Sequence, residues 1–398
     1  MLSYTYVAGT DTYTITGNDN TDINLTIPDT WNDGTNGTKA VTIVGASAFL
    51  NSTSLVSVIL GNNISNIQTS AFSGCTNLTS ITFTNTLTRI GGTAFANCTS
   101  LISAIIPNTV NNLGNGIFSG CTNLNSVTFT NNASILSIPT NTFYGCTNLN
   151  NFIVPDNITT IGGSAFYNCT NLSNINLSNS LTQINASAFE LCTSLANISF
   201  PSTLNRINTG AFSGCTSLIN IIIPDSVTQM FGAVFYGCSA LTNIKLSENI
   251  SSLGASLFEG CSSLNNIKIP NNVNQILYAA FRGCSNLTSI IIPRSVTIFN
   301  DNIFENCTSL KDIYFLGNNP DISNTTIDVL LNISPTATIY YYDVNPGWPY
   351  NFGAQVSFKI LNNLKNSKLK TFGLNVSSGA TSIKKINAGN GSLNLKIK

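Results

Sequence analysis

The sequence of 398 residues contains no histidine. That excludes Ser-His-Asp and Cys-His catalysis and every His-ligated metal site. Charge is also scarce. Only 8% of residues are Asp, Glu, Lys or Arg, against about 25% in an average soluble protein. Asn, Ser and Thr must therefore carry the solubility. No run approaches the ~18 consecutive apolar residues of a transmembrane helix, so no membrane span is expected. The opening MLSYTYVAGTDTYTITG lacks the basic and apolar regions of a secretory signal. The expectation is a chain not exported by that route, or a mature or partial one. The net charge of +0 hides an asymmetry: residues 344–398 contain 8 Lys and no acid, and all 16 acidic residues precede them.

What the chain has is repetition. A phenylalanine recurs at 49, 72, 95, 118, 143, 166, 189, 212, 235, 258, 281 and 304, always 23 residues apart except for a step of 25 before Phe143. Counting from each Phe as zero, position +3 is Cys in every unit but the first, where Ser52 stands. All 11 Cys occupy that one position, from Cys75 to Cys307. Position +6 is always Leu, and +9, +11, +15 and +18 are mostly aliphatic. Such a face cannot be buried by one coil alone, but stacked coils bury it against each other. The alternation from +8 to +11 predicts a short strand, and a Pro at +12 in half the units ends it. Position +2 is Gly or Asn except at Leu191. That predicts a left-handed residue closing a helical turn around Ala-Phe, with strain or a different turn at Leu191. The two extra residues before Phe143 predict a longer loop near TNNASI.

The pattern A-F-x-x-C-x-x-L resembles the BspA-like class of leucine-rich repeats over residues 46–316. Residues 25–49 look like a degenerate first unit with a loop insert, and TATIYYYDVNPGW (336–348) is similar to the aromatic segment that closes such arrays. The resemblance implies a repeat solenoid: a right-handed leucine-rich-repeat array with a parallel β-sheet on one side and short strands and helical turns on the other. The expected organisation is an N-terminal cap (1–45), a twelve-unit solenoid (46–316), a C-terminal cap (317–361) and a basic tail (362–398). At about 4.8 Å per coil the array would be roughly 60 Å long. The resemblance also implies recognition and adhesion rather than catalysis, as in surface proteins of bacteria and protists. Similar repeats occur in giant DNA viruses.

The candidate sites have to be weighed against packing. A disulfide framework fails on the odd number of Cys and on parallel Cβ directions in stacked coils. Zinc needs four ligands around one point, which a straight column does not supply. The Cys are therefore expected to be reduced, buried core residues. Asp225 and Glu248 share position +13 in adjacent coils, at the ~5 Å spacing of a retaining glycosidase, but at a strand end they read as a solvated edge. DNTDIN (19–24) and DTWNDG (29–34) resemble calcium loops without the spaced ligands and final Glu of an EF-hand. Glu259, Arg282 and Glu305 at +1 read as a surface ion ladder. No cofactor or metal is expected, and no enzymatic activity.

The outward positions +8 and +10 of the strand remain as the recognition face. Position +8 is Asn in six consecutive coils, among them Asn197, Asn220, Asn243 and Asn266. Position +10 includes Ile222, Lys245, Lys268, Ile291 and Tyr314. These nine are the candidate binding residues. Lys245 and Lys268 are expected to stack at a like-charge cost, which favours an anionic ligand. The function expected is a non-enzymatic protein- or glycan-binding adhesion module. The alternative is a structural component of a viral or cellular surface assembly anchored by the basic tail. The tail lacks Arg and dense charge, so nucleic acid is not the expected partner. The sequence leaves open the oligomeric state, and whether the protein works at a cell surface or outside cells, or on a viral particle or in host cytoplasm.

Overall fold

A computed structural model describes residues 2–130, 134–317, 333–334, 336–341 and 357–360, with 341 and 357–360 described by backbone alone. The chain folds as two compact units, Met1–Leu218 and Ile219–Lys398. Each repeat forms one turn of a β-solenoid of about twelve turns, with two short strands in most turns; the turns of Phe189 and Phe258 have no strand at +8 to +10. The first strand covers positions +8 to +10 or +11. In the first unit Asn24–Thr26, Ser57–Ile59 and Ser80–Thr82 pair in parallel, as do Ser103–Ile106 with Ser126–Phe129 and Asn151–Ile153 with Asn174–Asn176. In the second unit Asn220–Ile222 pairs with Asn243–Lys245, and Ser289–Ile292 with Asp312–Phe315. The second strand is the two-residue segment at +17 and +18, as in Asn66–Ile67, Arg89–Ile90 and Asn112–Leu113. Equivalent positions lie directly opposite one another, Asn151 against Asn174 and Asn220 against Asn243. The sequence period is thus the pairing register, because a slip of one residue would turn every buried aliphatic outward.

The repeat phenylalanines stack in the core. Successive ring centroids from Phe49 to Phe72 and from Phe143 to Phe166 are 4.9 and 5.2 Å apart, and from Phe258 to Phe281 5.5 Å. All eleven cysteines are free and buried. Their geometry explains the choice of residue. In the first unit every thiol, from Cys75 to Cys215, donates to the carbonyl of the preceding coil's repeat Phe, at 3.0–3.2 Å. Cys261, Cys284 and Cys307 do the same in the second. The same carbonyl also accepts the N–H of its own coil's Cys, as Phe72 O does from Cys75. Both lone pairs of a fully buried carbonyl are thereby used, which matters because an unmet one is costly. Ser52 begins the column where no earlier repeat Phe exists. Its hydroxyl turns instead to Asn20 Oδ1 at 2.6 Å and Asn18 Oδ1 at 3.2 Å.

The turn around Ala-Phe closes by bonds from residue i to i−3, such as Cys75 N–H to Phe72 O and Leu78 N–H to Cys75 O. Position +2 has positive φ in all twelve coils, Leu191 included at 61°. A second left-handed position, which the sequence pattern does not suggest, lies at −2 in all twelve. Ser, Thr and Ala fill most of it, for example Ser70 (56°), Thr93 (54°) and Ala233 (56°). The reason is in the backbone bonds. The N–H groups at −2, 0 and +2 point along the axis to the next coil, as Ser70 does to Gly92, Phe72 to Ala94 and Gly74 to Ala96. The odd-numbered neighbours close the local turns. Left-handed residues at both ends re-aim the peptide for these axial bonds. The bonds offset a strain of about 1 kcal/mol at each non-Gly residue.

At the N-terminus a hairpin of Ser3–Val7 and Thr12–Gly17 pairs antiparallel, and Thr12–Gly17 then lies parallel to Thr38–Val44. At the other end Thr338–Tyr341 adds in parallel to Asp312–Phe315, followed by Ser357–Ile360. Residues 131–133 of the expected loop at TNNASI, residues 342–348 of the closing segment and the basic tail at 362–398 lie outside the described residues.

Candidate functional site

The outward face of the first strands is built from the period-2 alternation itself. Because +9 and +11 point into the core, +8 and +10 must face away. In the first unit the +10 position exposes Ile59 at 52%, Ile105 at 61% and Ile153 at 72%. In the second, Ile222 is 67% exposed, beside Lys245 in paired register. Asn197, Asn220, Asn243 and Asn266 are also exposed. The amides at +8 bond along the axis where strands pair: Asn174 Nδ2 donates to Asn151 Oδ1 at 3.1 Å, and Asn243 Nδ2 to Asn220 Oδ1 at 3.0 Å. Asn266 departs from the ladder and turns to Asn265 Oδ1 at 2.6 Å.

Three of the expected binding residues need correction. Tyr314 is not an exposed anchor. It is 3% exposed and stacks on Tyr340, centroid to centroid 4.5 Å at 12°, because the strand Thr338–Tyr341 lies directly beside its own. Burial and the neighbouring Asp312 carboxylate push its phenol up to about 12. Ile291 is partly buried against the same pair. The sequence signal was present, since the TIYY segment offers an aromatic at the equivalent position, but outward parity was read as exposure. Lys268 is not an unrelieved positive charge. Its ammonium pairs with Glu248 Oε1, whose backbone N–H in turn bonds Asp225 Oδ1 at 3.0 Å. The acid at the strand end meets the lysine, so the like-charge argument for an anionic ligand falls. The +1 ladder is present and less exposed than expected. Arg282 reaches Glu259 at 3.4 Å and Glu305 at 2.8 Å, and both carboxylates are more than four-fifths buried.

A second polar surface lies at the corner where the turn enters the strand. Buried Leu at +6 splits the side chains at +5 and +7 into two parallel rails. Asn123, Asn148, Asn171 and Ser194 form one, and Asn125, Asn150 and Ser173 the other. Between them runs an open groove of about 450 Å³. Asn148 Nδ2 donates to Asn123 Oδ1 at 3.2 Å, Asn171 Nδ2 to Asn148 Oδ1 at 3.3 Å, and Ser173 Oγ to Asn150 Oδ1 at 2.7 Å. Sequence reasoning passed over these rails, although Asn at +5 in three consecutive coils was visible. Among the described residues no group of three His, Cys, Asp or Glu side chains is placed to hold a metal ion. Among them, too, no helix is long and apolar enough to cross a membrane.

No curated protein matches the chain. Among solved structures it is similar to a leucine-rich cell surface protein from Faecalibacterium prausnitzii. The two share 29% identity over 80% of this chain and 93% of the other, with a TM-score of 0.52. A leucine-rich repeat protein from Bacteroides ovatus shares 23% identity over 90% and 98%, with a TM-score of 0.63. The pneumococcal vaccine antigen PcpA shares 19% over 86% and 92%, with a TM-score of 0.57. The last two show the fold alone. The model of the BspA type leucine-rich repeat region matches six copies, over residues 42–136, 130–240 and 232–334. With coil after coil joined by the same Phe stack, thiol bond and strand register, the chain belongs to the BspA-type leucine-rich-repeat family.

Proposed function

We propose that the chain is a non-enzymatic adhesion module that binds a protein partner through the outward face of its first strands. The observation that carries this reading is the exposure of large aliphatic side chains at +10. Ile105 and Ile153 stand in the paired strands Ser103–Ile106 and Asn151–Ile153, each exposed by more than half. A β-branched side chain on a rigid strand has little rotamer freedom to lose, so it anchors a partner at low entropic cost. The hydroxyl and amide side chains at +8 supply the polar surround of such an anchor. Ile222 and Lys245 offer the same arrangement in the second unit, with Asn220 and Asn243 bonded beside them. The named similarity to a bacterial cell surface protein supports placement at a cell surface. Since Lys268 is already paired, the partner is read as a neutral, partly apolar protein surface and not an acidic or sulfated one.

The test uses beads coated with the full chain and cultured epithelial cells, with and without trypsin treatment of the cells. Attachment should fall on trypsin treatment. It should also fall about tenfold with Ile105→Ser and Ile153→Ser combined, as expected for the loss of two anchors. Attachment that survives both changes refutes the reading.

A further inference from the structure

The amide-lined corner groove is separate from the strand face and needs its own account. We propose that it is a binding site for an extended, uncharged polysaccharide, laid along the solenoid axis with one sugar unit per coil.

The lining chemistry selects the ligand class. Every side chain bordering the groove is an amide or a hydroxyl. Between residues 121 and 200 the only charged residues are Asp156 and Glu190, and neither borders it. A phosphate, sulfate or carboxylate would find no counter-charge here, and an apolar ligand would strand the amides without partners. Sugar hydroxyls meet the requirement, since each donates and accepts. An Asn side chain has two N–H donors and two acceptor lone pairs. Asn148 spends one donor on Asn123 and one acceptor on Asn171, which leaves one of each. An amide's N–H and C=O side by side can meet two neighbouring hydroxyls of one ring.

The repeat distance selects the ligand shape. Ring pairs in these coils place the coil spacing at about 5–6 Å, with Phe118 and Phe143 at 6.0 Å, Phe143 and Phe166 at 5.2 Å and Tyr144 and Tyr167 at 4.7 Å. A pyranose in an extended 1,4-linked chain advances by close to that length, so each ring can meet one coil of the rail formed by Asn123, Asn148, Asn171 and Ser194, with alternate rings presenting the same edge. The rails are pre-ordered by their own hydrogen bonds, which lowers the cost of fixing them on binding. The groove volume of about 450 Å³ lies within the range of ordinary ligand sites. It is open, so a long chain can pass through without an end.

The experiment is calorimetric titration of the full chain with neutral β-1,4-linked glucose, mannose and N-acetylglucosamine oligomers, from the disaccharide to the hexasaccharide. A sulfated oligosaccharide serves as the charged control. Affinity for at least one neutral series should rise with length up to about the tetrasaccharide, one sugar for each coil of the longer rail, and then level off. It should be insensitive to salt. Asn148→Ala should weaken it about tenfold, while Ile105→Ser on the strand face leaves it unchanged. Chemical-shift changes at the side-chain amides of Asn123, Asn148 and Asn171 in the unsubstituted protein give a readout that does not depend on any variant folding. No binding by any neutral series, affinity independent of length, preference for the sulfated control, or silent rail amides would each overturn the proposal. Loss of sugar binding with cell attachment intact would separate this site from the protein-binding face.

Discussion

The cysteine column makes the fold sensitive to alkali. A buried thiol must stay neutral, and burial raises Cys98, Cys121, Cys146, Cys169 and Cys192 in the first unit and Cys261, Cys284 and Cys307 in the second. For Cys98 the larger cause is its hydrogen-bonded neighbour Cys75, with burial second. Cys121 and Cys307 are pushed up to about 12 from an ordinary value of 9.0. When the folded value lies above the unfolded one, the unfolded chain gives up protons first as pH rises. Stability from this source is therefore fully present below about pH 9 and is lost as pH climbs towards the folded values. One pH unit above the unfolded value, each thiol favours the unfolded state by about 1.4 kcal/mol. At pH 10 the five thiols of the first unit amount to about 7 kcal/mol and the three of the second to about 4 kcal/mol. Those losses are comparable with the whole stability of an ordinary domain.

The assay is urea unfolding followed by circular dichroism between about pH 7 and pH 10, with thiolate absorbance recorded in parallel. The expected result is a midpoint that holds steady to about pH 8.5 and then falls steeply, with thiolate signal appearing only as structure is lost. A midpoint unchanged to pH 10, or thiolates forming in the folded protein near pH 9, would refute the buried-column argument.

Two further outcomes follow from the turns and the ion ladder. Gly145→Ala should cost about 1 kcal/mol from left-handed strain alone, since only Gly120 Cα lies near the new methyl at 4.0 Å. Gly214→Ala should cost more, because the methyl meets Leu191 Cδ2 at 2.7 Å. Leu191→Gly should remove the difference, and hydrogen exchange of the peptide around each turn measures all three. Arg282→Ala should destabilise the second unit by about 2–3 kcal/mol, because it leaves Glu259 and Glu305 largely buried without their shared cation. A loss below about 0.5 kcal/mol in thermal unfolding would mean the ladder is no more than a surface pair.

What was legible in the sequence, and what was not, separates along a physical line. Side-chain columns were legible because a 23-residue period puts like beside like. The Phe stack, the Leu wall, the Asn151–Asn174 bond and the Arg282 ladder all follow from one residue of a column facing its own equivalent. Backbone devices were legible only where they restrict residue type. Position +2 shows as Gly or Asn since most side chains are disfavoured there. Position −2 has the same φ and hides, because Ser70, Thr93 and Ala233 carry the strain for an axial bond that no residue identity records. Interactions between different columns were the least legible. Lys268 at +10 reaches Glu248 at +13 of the coil before. Tyr314 is covered because the chain adds one more strand after the repeats stop. Both depend on which neighbours a coil happens to have, and a periodic pattern averages that away. The same reasoning sets where function should be sought. A perfect column stabilises the stack and is explained by it. The short runs that stacking does not require, three Asn at +5 and isolated Ile at +10, are where this chain has freedom to recognise something else.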